Sequence, residues 1–340
     1  ALVAIYAGKI RLIGTEKGMG VTNAGSIIAS TGRLQLNSNG NLINSGSLVA
    51  NKGAIDINVG NATIDNSGTI ASSRANIDID SATLANSGVV SSYDKTQAIT
   101  QQRITNTGTI SSGQLQLKTI DLDNRGLIEQ TGSGSLEVKT QKLVNKDQAV
   151  IGQALYDNQP TTTAPTLNSP PSTANTGSQN QVVDNTSPSN PTPSPDAPSL
   201  PALTPVTASG SITANTLTNA TSNAVITANG NTAVQANDIS NTANSSIAVD
   251  KLITNNQQAG NRLNNDNSRI QITGADWKLE QFSNNKGQIV SQQNLNINSQ
   301  QGIDNTAGTL ASQKDITLIT QGDLNNTQGV IQAQRVTVQG

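Results

Sequence analysis

The 340-residue chain contains no cysteine and no histidine, one Trp, one Phe and three Tyr. Those absences exclude a thiolate nucleophile, a disulfide framework, a Cys/His zinc site and any His-based catalytic arrangement. Charge is sparse and balanced, with 20 Lys plus Arg against 22 Asp plus Glu. With neither a net positive field nor stacking aromatics, nucleic-acid binding has no physical basis. Purely apolar runs are only a few residues long, so no helical segment spans a bilayer. Proline is absent from most of the chain: all 11 lie between Pro160 and Pro205. A stacked strand must donate the N–H that proline lacks, so the proline-free regions on both sides suit strand ladders.

What is present is Asn, Ser, Thr, Gly, Gln and Ala with modest Ile, Leu and Val. The composition alone is compatible with disorder or with a thin repetitive core, and periodicity decides between them. A phrase of Asn, one residue, Gly recurs at Asn23/Gly25, Asn44/Gly46, Asn66/Gly68, Asn86/Gly88, Asn106/Gly108 and Asn124/Gly126, with glycines 21, 22, 20, 20 and 18 residues apart. A form with one more residue ends in Gly287, Gly308 and Gly329, each 21 apart. Aliphatics fall in columns between the glycines: Leu48, Ile55, Ile57 and Ile64, then Ile70, Ile77, Ile79 and Leu84. Each unit carries three period-2 fragments bounded by turn residues, and none sustains a helical spacing.

A unit of about 21 residues with three short strands predicts an all-β fold, a right-handed parallel β-helix (β-solenoid) whose strands pair one coil to the next. Gly would supply a positive-φ or tight corner, and the neighbouring Asn tolerates such geometry. Because corners superpose, Asn66, Asn86 and Asn106 form either a partial amide ladder or a row of solvent-bonded turn asparagines. Four segments follow. Residues 1–22 run into the solenoid, and 23–158 form the first repeat block. Residues 159–208 are a Pro/Ser/Thr-rich linker or extruded loop. Residues 209–340 form a second block whose last coil, ending without a polar cap, is expected to continue in a longer chain. Asn255 to Asn267 is an insertion-like polar run. Trp277 and Phe282 sit in a long coil, where they either plug an enlarged corner or present a recognition patch.

The opening, Tyr6-Ala7-Gly8-Lys9-Ile10-Arg11-Leu12-Ile13-Gly14-Thr15-Glu16-Lys17-Gly18 with Gly20-Val21 and Asn23-Ala24-Gly25, resembles the end of the secretion domain in filamentous haemagglutinin-like exoproteins. Ile64-Asp65-Asn66-Ser67-Gly68-Thr69-Ile70-Ala71 and Ile303-Asp304-Asn305-Thr306-Ala307-Gly308-Thr309-Leu310 resemble that family's haemagglutinin repeats. The resemblance implies a large Gram-negative surface protein of two-partner secretion. Its export would use an outer-membrane transporter that recognises a region before Ala1. Its relatives include adhesins, which bind receptors or glycans on target cells, and contact-dependent growth-inhibition toxin carriers. The Pro-rich interruption departs from the family pattern. The repeats themselves call for no cofactor, metal or catalysis, and the chain is read as non-enzymatic. Asp56, Asp65, Asp78 and Asp80 are the carboxylates that acid–base chemistry or calcium would need, and equally what the solvent face of a strand carries.

Overall fold

The computed structural model describes residues 4–132, 134–153, 209–221, 223–228, 231–254 and 260–340. These belong to one compact unit, 1–154 with 204–340; the other unit, 155–203, and with it the predicted linker 159–208, lies outside the described residues. Among the described residues there is no helix, and every strand pairing is parallel. The unit is a β-solenoid of about 13 turns, successive turns lying about 21 residues apart.

Each coil contributes one strand to each of three ladders. The first ladder begins Ala4–Ala7, Ser26–Ala29, Ser47–Ala50. The second begins Ile10–Gly14, Leu34–Ser38, Ile55–Asn58. The third begins Val21–Asn23, Leu42–Asn44, Thr63–Asn66. Side chains alternate between tube and solvent, as a strand dictates. Thus Leu48 lies over Ile27 and under Ile70, and Ile55 lies between Leu34 and Ile77, all of them buried. Aliphatics recur along the columns, with Thr96, Ala98, Gly210 and Thr232 as smaller members of the second ladder, and aliphatic contact along the axis replaces the large aromatic volume of an ordinary core. Around Ile77–Asn86, Val89–Asn106 and Thr109–Lys118 the corners straighten into long strands, with register shifts at Ser81/Thr83 and Ser92/Lys95.

The two repeat blocks form one solenoid. Leu136 pairs with Gly210, Leu143 with Leu217 and Ile151 with Ile226, so all three ladders cross the interruption in register. The strand Val150–Gln153 is followed, in the ladders, by Ser209–Thr213. One coil earlier residues 131–135 make the same connection. A chain in which 131–134 are copied in place of 154–208, with Ser209 standing where Ser135 stands one coil earlier, should therefore keep the solenoid. Shortening a loop about tenfold removes about 2 kcal/mol of closure entropy, so its chemical-denaturation midpoint should rise. A fall would show that the long segment supports the coils.

Among the described strands the stacking has one break. Lys251–Thr254 pairs with Asn231–Ala236 behind it, whereas Ala275–Leu279 opens a separate four-stranded sheet with Leu295–Ser299, Asp315–Thr320 and Arg335–Gln339. Residues 255–259, including the predicted loop residue Asn255, lie between these strands and outside the described residues.

Candidate functional site: an asparagine ladder and the break beside Trp277

At the end of each third-ladder strand, one asparagine turns its amide into the tube. Nδ2 of Asn23 donates to Oδ1 of Asn44 at 2.8 Å, Asn44 to Asn66 at 2.7 Å, Asn66 to Asn86 at 2.7 Å and Asn86 to Asn106 at 2.8 Å. The series continues through Asn124 and Asn145, both at 2.8 Å. It crosses the interruption to Asn219 at 2.9 Å, then reaches Asn241 at 2.8 Å and Asn265 at 2.7 Å. It ends through Asn284 at 2.7 Å, Asn305 at 2.7 Å and Asn326 at 2.6 Å. Every bond runs in the same direction along the chain, so the amide dipoles align and polarise one another. The amides are buried, apart from the half-buried terminal Asn326.

Burying an amide is costly unless its donors and acceptor are all matched. Here the second Nδ2 hydrogen is met by carbonyls. Asn44 reaches Thr69 O at 3.1 Å and Gly46 O at 3.3 Å, and Asn66 reaches Val89 O at 3.2 Å and Gly68 O at 3.3 Å. A side chain in the next coil satisfies this arrangement only if it is itself an amide at the same place. The ladder therefore selects register: a coil slipped by one residue would turn its own asparagine outward and leave the amides of the adjoining coils buried and unpaired.

The repeated glycines have a different role from a positive-φ corner. Among described glycines only Gly18, Gly60, Gly260 and Gly302 have positive φ, so Gly25, Gly46, Gly68, Gly88, Gly108 and Gly126 do not. They are required by closeness. A Cβ on Gly46, Gly68, Gly88, Gly108 or Gly126 would run into the carbonyl oxygen of the equivalent glycine one coil below. On Gly287, Gly308 and Gly329 it would strike the carbonyl of the ladder asparagine below and the amide of its own coil. In those coils the residue before the glycine takes the left-handed conformation instead: Lys286 at 54°, Ala307 at 51° and Gln328 at 58°. Asn267 does the same at 53°. It is exposed and hydrogen-bonds Asn285 O through its backbone N–H, which makes it a corner residue.

Asn145, Asn219, Asn241 and Asn265 escape a search for Asn-x-Gly, because their corners carry no glycine at that place. Left-handed Asp147 and Gln148, Thr221 and Asn223, or Ala243 and Asn244 turn the chain after the first three. The signal common to every rung is an apolar core residue, one outward residue, then Asn, as in Leu42-Ile43-Asn44, Leu143-Val144-Asn145 and Phe282-Ser283-Asn284.

Trp277 and Phe282 present no recognition patch: they are 0% and 1% exposed, with ring centroids 6.4 Å apart. Trp277 occupies the column of Ile297 and Leu318. Its Nε1 donates to Leu252 O at 2.7 Å, so the indole bridges the two strands whose ladder is broken. A recess of about 380 Å³ opens beside it, lined by Lys251, Leu252, Ile253, Thr273, Gly274, Ala275 and Asp276. Trp277→Ala should cost about 3–5 kcal/mol as cavity and transfer terms add. Proteolysis should then cut first between residues 251 and 279. Uniform resistance along the chain would contradict the bridging role.

The four carboxylates do not converge into a reactive centre. Asp56 lies beside Asp78 in register, while Asp80 and Asp65 point to solvent on different ladders. Arg33 Nε is 2.9 Å from Asp56 Oδ2, a charge contact without hydrogen-bond alignment. Partial burial pushes the Asp56 pKa above the usual carboxylate range, Arg33 pulls it down and Asp78 pushes it up. A carboxyl raised in the folded state favours folding at low pH and loses that contribution as pH rises through its folded value. At neutral pH Asp56 thus contributes little to stability. Among the described residues no three His, Cys, Asp or Glu side chains gather to hold a metal ion, and no helix is long and apolar enough to cross a membrane.

The fold and its internal amide ladder define a class, the parallel β-solenoid with a register-setting asparagine column. Compared with curated proteins, the chain is 57% identical over 42 residues to Toxin CdiA of Yersinia pestis. That match covers 12% of this chain and 1% of the toxin's length. No family model and no solved structure matches the chain.

Proposed function

We propose that this chain is a shaft segment of a large secreted surface exoprotein of the haemagglutinin-repeat kind, which holds a distal adhesive or toxin-delivery region away from the cell. The observation that carries the reading is the unbroken asparagine ladder from Asn23 to Asn326. It ties every coil to its neighbours and leaves side-chain chemistry to the distal region. About 13 coils at about 4.8 Å each extend roughly 60 Å along the solenoid axis. The short likeness to Toxin CdiA supports the toxin-delivery branch. On this reading the chain is not an enzyme. Its export partner is an outer-membrane transporter that recognises another part of the protein.

Whole-coil deletion tests the proposal in the full-length protein. Removing residues 67–86 joins Asn66 to Ser87 in register and shortens the shaft by one rung. Surface display and the distal activity should persist. Loss of the distal activity with surface display intact would favour direct receptor binding by these coils.

A further inference from the structure

The three outer faces of the solenoid differ in charge. The second ladder turns Arg11, Asp56, Asp78, Lys118, Glu137 and Lys139 outward, and the third carries Asp65, Arg103, Asp121, Asp123 and Lys142. The first ladder is nearly free of charge. From Ser26–Ala29 to Val330–Gln332 its outward residues are mostly uncharged and small, such as Val49, Thr69, Ala71, Ser91, Thr109 and Ser111, with larger Ile28, Leu127 and Gln288 among them. Glu129 and Arg269 are its only charged outward residues between those strands.

From this face we infer that two copies of the chain associate side by side, first ladder against first ladder. Three physical points select a second copy as the occupant. A two-fold interface places a surface against itself. On either charged face that would take five or six charged side chains of mixed sign out of water, a desolvation cost, whereas the first face has only Glu129 and Arg269 to desolvate. Its outward side chains are mainly Ser, Thr, Ala and Val with a few Ile, Leu and Gln, and two uncharged sheets of this kind pack at the usual separation of about 10 Å. About 13 strands, each four residues wide, span about 60 Å by 13 Å, or about 800 Å² per copy. Two such surfaces bury about 1,600 Å², the size of a standard specific interface. Shafts paired in this way would be stiffer than single ones, and distal regions would be presented in twos.

Sedimentation equilibrium of the 340-residue chain should show a concentration-dependent mass approaching twice 35.0 kDa. Ala71→Lys with Ser111→Lys sets like charges across the paired face and should weaken association at least about tenfold, the equivalent of 1.4 kcal/mol. Gln35→Lys on the second ladder and Thr105→Lys on the third should leave it unchanged. Circular dichroism and the buried Trp277 emission verify that each variant is folded. A chain that stays monomeric up to about 100 μM, in the range where standard interfaces are populated, overturns the proposal. So does equal weakening by the control variants. Association insensitive to all of them, the signature of end-to-end strand pairing, overturns it as well.

Discussion

Gly68→Ala is expected to be among the most damaging single substitutions in the chain, although it adds one methyl group on a surface-turn sequence. Where backbone geometry permits, Gly→Ala stabilises by about 0.4–1 kcal/mol, because it removes freedom from the unfolded chain. Gly68 has no positive φ, so that gain is available in principle. Packing reverses the sign. The new Cβ would overlap Gly46 O and crowd Ser45 C, which are backbone atoms of the coil below and cannot rotate away. Relief requires the two coils to separate, which lengthens Gly68 N→Asn44 O at 2.9 Å and Asn44 Nδ2→Asn66 Oδ1 at 2.7 Å. Overpacking of this kind costs about 1–3 kcal/mol and more when backbone must shift, so the net effect is a loss of about 2 kcal/mol or more. Hydrogen exchange should accelerate at amides 44–70 and remain slow around Trp277, since coils couple chiefly to their neighbours. The counterpart is Ala307→Gly. Ala307 holds φ at 51°, a conformation costing an L-residue about 1 kcal/mol that glycine does not incur. Its coil should be stabilised by a few tenths of a kcal/mol or more, after glycine's own entropy cost is deducted. An undiminished midpoint for Gly68→Ala would show that adjacent coils are less closely stacked than described.

Asn66→Leu tests the interior ladder. The substitution keeps the branched shape but puts larger methyl groups where amide atoms meet at 2.7 Å, and it adds apolar burial worth about 1.5–3 kcal/mol. Against this, Asn44 Nδ2 loses its amide acceptor, Asn86 Oδ1 loses its donor, and Val89 O loses the second Asn66 hydrogen. Each buried group left unmatched costs about 1–3 kcal/mol. Three such groups outweigh the gain, and a net loss of about 2–4 kcal/mol follows. The sharper measurement is a cycle with Asn86→Leu. Both single variants destroy the same Asn66–Asn86 bond, so the double variant should cost at least about 1 kcal/mol less than their sum. Asn66→Leu combined with the distant Asn284→Leu should be additive. Additivity in both pairs would reduce the ladder to a set of independent turn asparagines.

Much of the architecture was legible in the chain itself. The columns Leu48/Ile70 and Ile55/Ile77 stack as their spacing predicts. The phrase around Asn66 and Gly68 marks a corner because a corner must be rebuilt in every coil. Harder to read were residues whose role depends on what lies one coil away. The reason for Gly68 is an atom of Gly46, 22 positions earlier. Trp277 reads as either a surface or an interior residue, and its hydrogen bond to Leu252 O, across a stretch of polar sequence, places it inside. Asn145 and Asn219 are 74 residues apart, with a proline-rich segment between, and nothing local shows that their amides touch.

By itself the sequence determined the repeat length, the strand class and the inward columns, because hydrophobic alternation and turn chemistry are short-range properties of a chain. Only the tertiary structure decided that the two repeat blocks share one tube, that the amides form a single line, and that glycine answers to steric closeness. Those outcomes depend on which backbone lies about 4.8 Å above which, and inter-coil hydrogen bonding sets that relation, not proximity along the chain.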